Sequence, residues 1–162
     1  MIVFGKERTY VVHSDTEIKG FFGPYRFLSN FEGCSVMFDG VIYPSSENAY
    51  MAAKTLDTAQ REAFEDISAK DAKALGRTIT LRPDWELVKY DCMYKILFDK
   101  FSRNAGLRQD LLATGEKYLE ETNHWGDRIW GVDEEGVGKS ALGKILMQVR
   151  SALKTIDELR QA

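Results

Sequence analysis

The chain has 162 residues, enough for one domain with its own core, and 44% hydrophobic against 29% charged residues is an ordinary globular balance. A net charge of -3, from 22 basic and 25 acidic residues, argues against a protein that grips long duplex DNA by charge, because such binding needs many Lys and Arg to neutralise phosphates. It leaves room for a local basic pocket around one nucleotide, while no apolar stretch approaches the ~20 residues that cross a bilayer.

The first part of the chain reads as extended. Residues 9–13 and 18–22 are rich in β-branched and aromatic types and make two candidate strands. Val36-Met37-Phe38, Asp39-Gly40 and Val41-Ile42-Tyr43 spell a hairpin, since Asp-Gly suits a type I′ turn whose central residues both take positive φ. Pro44-Ser45-Ser46 then supplies a stop and an N-cap, and Glu47 to Thr55 reads as a helix. Asp57 with Gln60, and Ser68 with Asp71, mark two further helix starts of the capping-box kind, the second helix ending at Gly76. From Asp84 to Phe101, Trp85, Val88, Cys92, Ile96 and Phe101 recur at near-helical spacing, predicting a long amphipathic helix entered from Pro83. A helix from Leu107 to Ala113 closes at Thr114-Gly115. Ser140 to Ile156 sets Leu142, Ile145, Leu146, Val149 and Leu153 on one stripe, a last helix packed on the core. There is no repeat and no linker. Strands first and helices later predict an α+β fold: a single compact, mainly helical domain over 1–162 with a small N-terminal antiparallel sheet.

Glu47 and Lys54 are the first candidates for chemistry. Seven helical positions rotate a side chain by about 700°, so the two share a face within roughly 20°, separated by about 10.5 Å along the axis. Tyr50 and Met51 lie between them on that face. A first-turn carboxylate can act as general base or steady an oxocarbenium-like transition state, but acids also occur there because they stabilise helices. A lysine can hold a phosphate or, with a lowered pKa, attack a sugar aldehyde; a surface lysine ending a helix is the plainer alternative.

The stretch from Asn123 to Gly138 crowds Trp125-Gly126-Asp127 and Trp130-Gly131 into one long loop. Indoles offer a flat base a stacking face worth about 1–3 kcal/mol, and the glycines let backbone come close to a ligand. Asp127 could accept from a ribose diol or base edge. Equally, both tryptophans could simply tie the loop down. Gly136-x-Gly138-Lys139-Ser140 before a helix looks faintly like a phosphate loop, but Asp133 stands where a Walker A loop needs its first glycine. A phosphate at that helix start and a plain glycine turn both stay open. Asn30, in Phe27-Leu28-Ser29-Asn30-Phe31, could bond a base or ribose, or satisfy a buried turn. Cys34 and Cys92 stand far apart, and neither His13 nor His124 has a His or Cys at ligand spacing, so neither a metal site nor a cofactor is expected. The thiols are expected reduced, in a cytoplasmic protein.

These residues resemble a known family. Phe27-Leu28-Ser29-Asn30-Phe31, Tyr43-Pro44-Ser45-Ser46-Glu47-Asn48-Ala49-Tyr50 with Lys54, Ala74-Leu75-Gly76-Arg77, Arg82-x-Asp84-Trp85, Asn123-x-Trp125-Gly126-Asp127 with Trp130-Gly131, and Leu142-Gly143-x-x-Leu146-Met147-x-x-Arg150 look like the ordered blocks of the NADAR (YbiA-like) family. The resemblance runs from about residue 20 to residue 151 and implies an N-glycosidase. Some members act on phosphorylated early intermediates of riboflavin synthesis; others remove ADP-ribose from modified guanine in nucleic acid. It places catalysis on Glu47 and Lys54, and substrate binding on Asn30, Ser46, Tyr50, Arg77, Trp85, Trp125, Asp127, Trp130 and Gly131. ADP-ribosyl-guanine is the first substrate expected, a phosphoribosylamino-pyrimidine the alternative, and a non-catalytic ADP-ribose or nucleotide-binding module the rival of a different class. No membrane partner is expected. Ser140 stands where many members have Asn, and Val132-Asp133 where the YbiA branch has Asp-Gly, departures that bear on the substrate rather than the reaction.

Overall fold

The computed structural model describes residues 11–162, so residues 9 and 10 of the first candidate strand lie outside it. The chain groups into two compact units, one from the chain up to Ser29 together with Gln109–Ala162, the other from Asn30–Arg108.

The first unit holds a three-stranded sheet in the order β1-β2-β5. Strand β1 (Val12–His13) pairs antiparallel with β2 (Glu17–Lys19), and β2 pairs in parallel with β5 (Tyr118–Glu120). The sheet therefore recruits a strand from far along the chain, which the sequence pattern did not mark. A short 3-10 turn, Gly23–Leu28, follows β2. Helix α6 (Ala141–Gln161) packs the expected stripe, with Leu142, Ile145, Leu146, Val149 and Leu153 all buried. Gly143 lets this helix press directly on β5, because a Cβ there would strike the Leu119 carbonyl oxygen.

The second unit opens with the hairpin of β3 (Gly33–Phe38) and β4 (Val41–Ser45), in antiparallel register with Val36 facing Tyr43 and Phe38 facing Val41. Asp39 and Gly40 take φ of 48° and 82°, the positive pair a type I′ turn requires. Helices α1 (Ser46–Ala53), α2 (Thr58–Glu62) and α3 (Ala69–Leu75) follow, each started by the expected cap: Ser45, Asp57 and Ser68 accept from the backbone N–H three residues on. Gly76 ends α3 but keeps φ at -59°, so it does not serve as a left-handed cap. Its use is close packing: a Cβ there would strike Met51 of α1. Helix α4 (Trp85–Arg103) lies against β3, with Met37 N–H donating to Asp99 Oδ2 at 2.7 Å and Asn104 Nδ2 donating to the Ser35 carbonyl at 2.9 Å. Helix α5 (Ala105–Ala113) runs across the boundary in sequence between the units.

Candidate active site

Helix α1 has an unusual environment: all eight of its residues are buried. A helix buried all round must have its ends satisfied by protein groups. Ser45 Oγ accepts from Asn48 N–H at 3.1 Å, Glu47 N–H donates to the Asn30 carbonyl at 3.0 Å, and Ser46 Oγ donates to that same carbonyl at 3.3 Å. Asn48 Nδ2 ties the helix outward, donating to the carbonyls of Phe64 and Ile67 at 2.9 and 2.8 Å. The result is that Glu47, only 6% exposed, is fixed in the first turn of the helix around which the unit packs.

Lys54 forms the other end. Its N–H donates to the Met51 carbonyl at 3.2 Å and its own carbonyl accepts from Arg82 N–H at 2.8 Å. Arg82 in turn grips Asp84 through Nε and Nη2 at 2.6 and 3.0 Å, which steadies the segment leading into α4. The Lys54 amine stands 5.4 Å from the centre of the Tyr50 ring, and that ring lies 5.2 Å from Trp85, tilted by 53°. Tyr50 and Trp85 are each 5% exposed. Burial pushes the Lys54 amine below the ordinary lysine range; the Glu47 carboxylate opposes this, and the positive charges of Lys73 and Arg77 add to it. Glu47, Lys54, Lys73 and Arg77 thus share one electrostatic neighbourhood. A carboxylate and a partly desolvated amine at the two ends of one sealed helix are suited to proton transfer and to nucleophilic attack.

The structure gathers Asn30, Ser46, Glu47, Tyr50, Lys54, Arg77 and Trp85 into the second unit. Asn30 is 8% exposed; its Nδ2 donates weakly to Met93 Sδ at 3.7 Å, and its Oδ1 has no hydrogen-bond partner among the described residues. Ser46 departs from its expected part: it is fully buried and its hydroxyl holds the Asn30 loop, so it supports the site from within rather than reaching a ligand. Lys73 was missed by the sequence reading. It lies within α3, four residues before Arg77, which stands beyond the end of that helix.

Trp125, Asp127, Trp130 and Gly131 belong to the first unit. Asp127 Oδ1 accepts from Ile129 and Trp130 N–H at 3.0 and 2.9 Å, while Asn123 Oδ1 and Nδ2 clamp the backbone of Asp127 at 3.0 and 2.8 Å. That carboxylate therefore shapes the turn. A Cβ at Gly131 would strike Asn123 Nδ2 and the Glu121 carbonyl, so the glycine serves the loop's own packing rather than the approach of a ligand. Trp125 is 49% exposed and meets the His124 ring edge-on, with centres 5.0 Å apart. The phosphate-loop likeness before α6 dissolves. The N–H groups of Ser140, Ala141 and Leu142 donate to the carbonyls of Gly131, Ile129 and Trp130 at 3.2, 3.1 and 3.1 Å, leaving none of the three for an anion. Among the described residues, no cluster of three or more His, Cys, Asp or Glu could hold a metal ion, and no helix is long and apolar enough to cross a membrane.

A sequence profile of the NADAR domain matches residues 13–154. The N-glycosidase YbiA of Escherichia coli K12 is 39% identical over 133 residues, covering 80% of this chain and 82% of that protein. A riboflavin biosynthesis protein of Vibrio vulnificus is 38% identical over 131 residues, 79% of this chain but only 35% of that longer protein. The NMR structure of E. coli YbiA superposes with a TM-score of 0.80 at 37% identity, over 94% of this chain and 93% of that one.

Proposed function

This chain belongs to the NADAR domain family, and on that premise we propose that it is an N-glycosidase, breaking the bond between ribose C1 and the nitrogen of an aromatic amine or base. The observation that carries the reading is the pairing, through one buried helix, of the Glu47 carboxylate with a Lys54 amine whose charge is disfavoured by burial.

Two routes use these groups. In one, the C1–N bond breaks with its electron pair going to the amine nitrogen, Glu47 takes a proton from water as the water oxygen attacks the oxocarbenium-like C1, and that proton passes to the departing amine. In the other, the sugar ring opens and the neutral Lys54 amine attacks C1, expelling the aromatic amine and forming an imine that water then hydrolyses, freeing the lysine. Borohydride added during turnover traps the second route as a reduced adduct on Lys54, seen by peptide mass. Turnover without any adduct assigns the first. In either route Glu47→Gln abolishes turnover and largely spares binding; near-normal turnover in that variant removes Glu47 from the chemistry.

For the substrate, the riboflavin biosynthesis relative supports a phosphoribosylamino-pyrimidine. The second reading is ADP-ribosyl-guanine, the first expectation from sequence. Incubation with each compound and identification of the released base by mass separates the two. Ligand binding without release from either favours the non-catalytic module.

A further inference from the structure

Helix α4 carries two apolar stripes. One turns inward, with Cys92, Met93, Ile96, Leu97 and Phe101 buried. The other faces solvent. At about 100° per residue, Leu87, Tyr90, Tyr94 and Phe98 fall within about 80° of arc. Leu87 is 86% exposed, the most of any large hydrophobic side chain among the described residues. Tyr94 and Phe98 are half-buried, their rings stacked with centres 6.1 Å apart and planes 21° from parallel. Beside them the hairpin turn and α4 enclose a groove of about 390 Å³, lined by Met37, Phe38, Tyr94 and Phe98 and reaching Ser102. The acids on its rim are already engaged: Asp39 with Arg61 at 2.8 Å, and Asp99 with Arg103 at 2.9 Å and with the Met37 N–H at 2.7 Å. The groove therefore suits an apolar side chain rather than a cation. An apolar stripe on the solvent side of a helix that already has a core face marks an interaction surface.

This face is complementary to itself. Leu87 is a knob, and the groove beside Phe98 and Ser102 is a hole, on the same side of one helix. A second copy of α4 laid antiparallel across the first, with the two-fold axis beside Tyr94, sets Tyr90 of one copy against Phe98 of the other. It brings Leu87 to the level of position 101 in the second copy, between Phe98 and Ser102 at the groove. The symmetry repeats both contacts. A two-fold of this kind also sets each flank of the stripe against the same flank of the second copy. One flank holds the exposed side chains of Asp91 and Lys95, one turn apart and paired within the helix at 2.9 Å. Across the axis, Asp91 of each copy meets Lys95 of the other, so the charges match as well as the shapes.

We propose that the chain forms a two-fold symmetric homodimer through the outer face of α4, with Leu87 of each copy seated in the groove between hairpin and helix of the other. This goes beyond the N-glycosidase reading and does not depend on it. The stripe from Leu87 to Phe98 spans about 16 Å along the helix. That is short for a permanent interface, so the dimer is reversible and forms with rising concentration.

Sedimentation equilibrium of the full chain over a dilution series reads the association, with circular dichroism to show that each variant stays folded. Wild type passes from dimer to monomer on dilution. Leu87→Lys dimerises roughly tenfold more weakly or worse, because an anchor at the centre of a small interface carries much of its binding. Asp91→Lys and Lys95→Asp each weaken self-association by setting like charges across the axis. An equimolar mixture of those two variants re-forms dimers, because every facing pair is then opposite in sign. A pair that acted only within its own helix would give no such rescue. Three results overturn the proposal. Wild type that stays monomeric at every concentration leaves the face to a partner of another sequence. A dimer unchanged by Leu87→Lys uses a different surface. A mixture of the two charge variants that associates no better than either alone rules out the antiparallel two-fold.

Discussion

Met51 occupies the space where a side chain on Gly76 would begin, so the end of α3 lies against the middle of α1 with no room for a methyl group. Gly76 has an ordinary helical φ of -59°, which alanine adopts freely. Gly76→Ala therefore gains roughly 0.4–1 kcal/mol from a stiffer unfolded chain, against an overpacking cost of about 1–3 kcal/mol. A net loss of about 1 kcal/mol is expected in urea melts. In a Met51→Ala background the same substitution should be neutral or stabilising; an equal loss in both backgrounds would show that the sulfur is not the obstacle.

Lys54 supplies a prediction in pH. Its amine is held below the ordinary lysine value, first by burial, so it becomes neutral at lower pH than an exposed lysine. Glu47 pulls the other way, and Glu47→Gln should lower the amine's pKa further. The rate of acylation of Lys54 against pH, followed by peptide mass, reads this directly. A profile like that of free lysine, unmoved by Glu47→Gln, would remove the coupling between the two groups.

Lys100 is fully buried on α4 and burial pushes its amine down to about 8, from an ordinary value of 10.5. Between those two pH values the unfolded chain binds more protons than the folded one, so this group makes stability rise with pH through that window and contributes no slope below it. Lys100→Met should accordingly stabilise the protein most at pH 7, by an upper bound of about 3 kcal/mol from the size of the shift, with the advantage shrinking as pH approaches 10. Denaturant midpoints at several pH values give the result; a constant difference between the two proteins at every pH contradicts it.

Gly40 isolates backbone strain from packing. Its φ is 82°, and a Cβ there would meet nothing within 4 Å. Gly40→Ala should cost roughly 1–2 kcal/mol through conformation alone, leaving the hairpin register intact, and Gly40→Asn should cost less because asparagine tolerates the left-handed region. Thermal melts of the three proteins are sufficient to rank them.

Much of this architecture was readable before any coordinates. Ser45, Asp57 and Ser68 announced their helices because a cap is a local bargain between one side chain and an N–H three residues away. Asp39-Gly40 was equally local. Strand β5 was not readable: Tyr118, Leu119 and Glu120 are too few to show alternation, and they form a strand because β2 offers a parallel edge and α6 presses from behind at Gly143. In the candidate site, seven-residue spacing put Glu47 and Lys54 at the two ends of one helix, and only the family resemblance suggested roles for them. Lys73 was not legible, since nothing nearby in sequence distinguishes it from a solvated lysine; its neighbourhood exists only through α3 resting on α1. Asp127 and Gly131 left two readings open in the sequence, ligand contact and loop structure, for the converse reason. Residues that suit ligands also suit tight loops, and here hydrogen bonds inside the loop absorb them.

The sealing of α1 has an evolutionary and practical corollary. Every side chain on that helix is wedged among neighbours, so a change there disturbs the fold before it can alter the choice of substrate. A library built on this scaffold should therefore leave residues 46–53 untouched and vary exposed positions outside that helix.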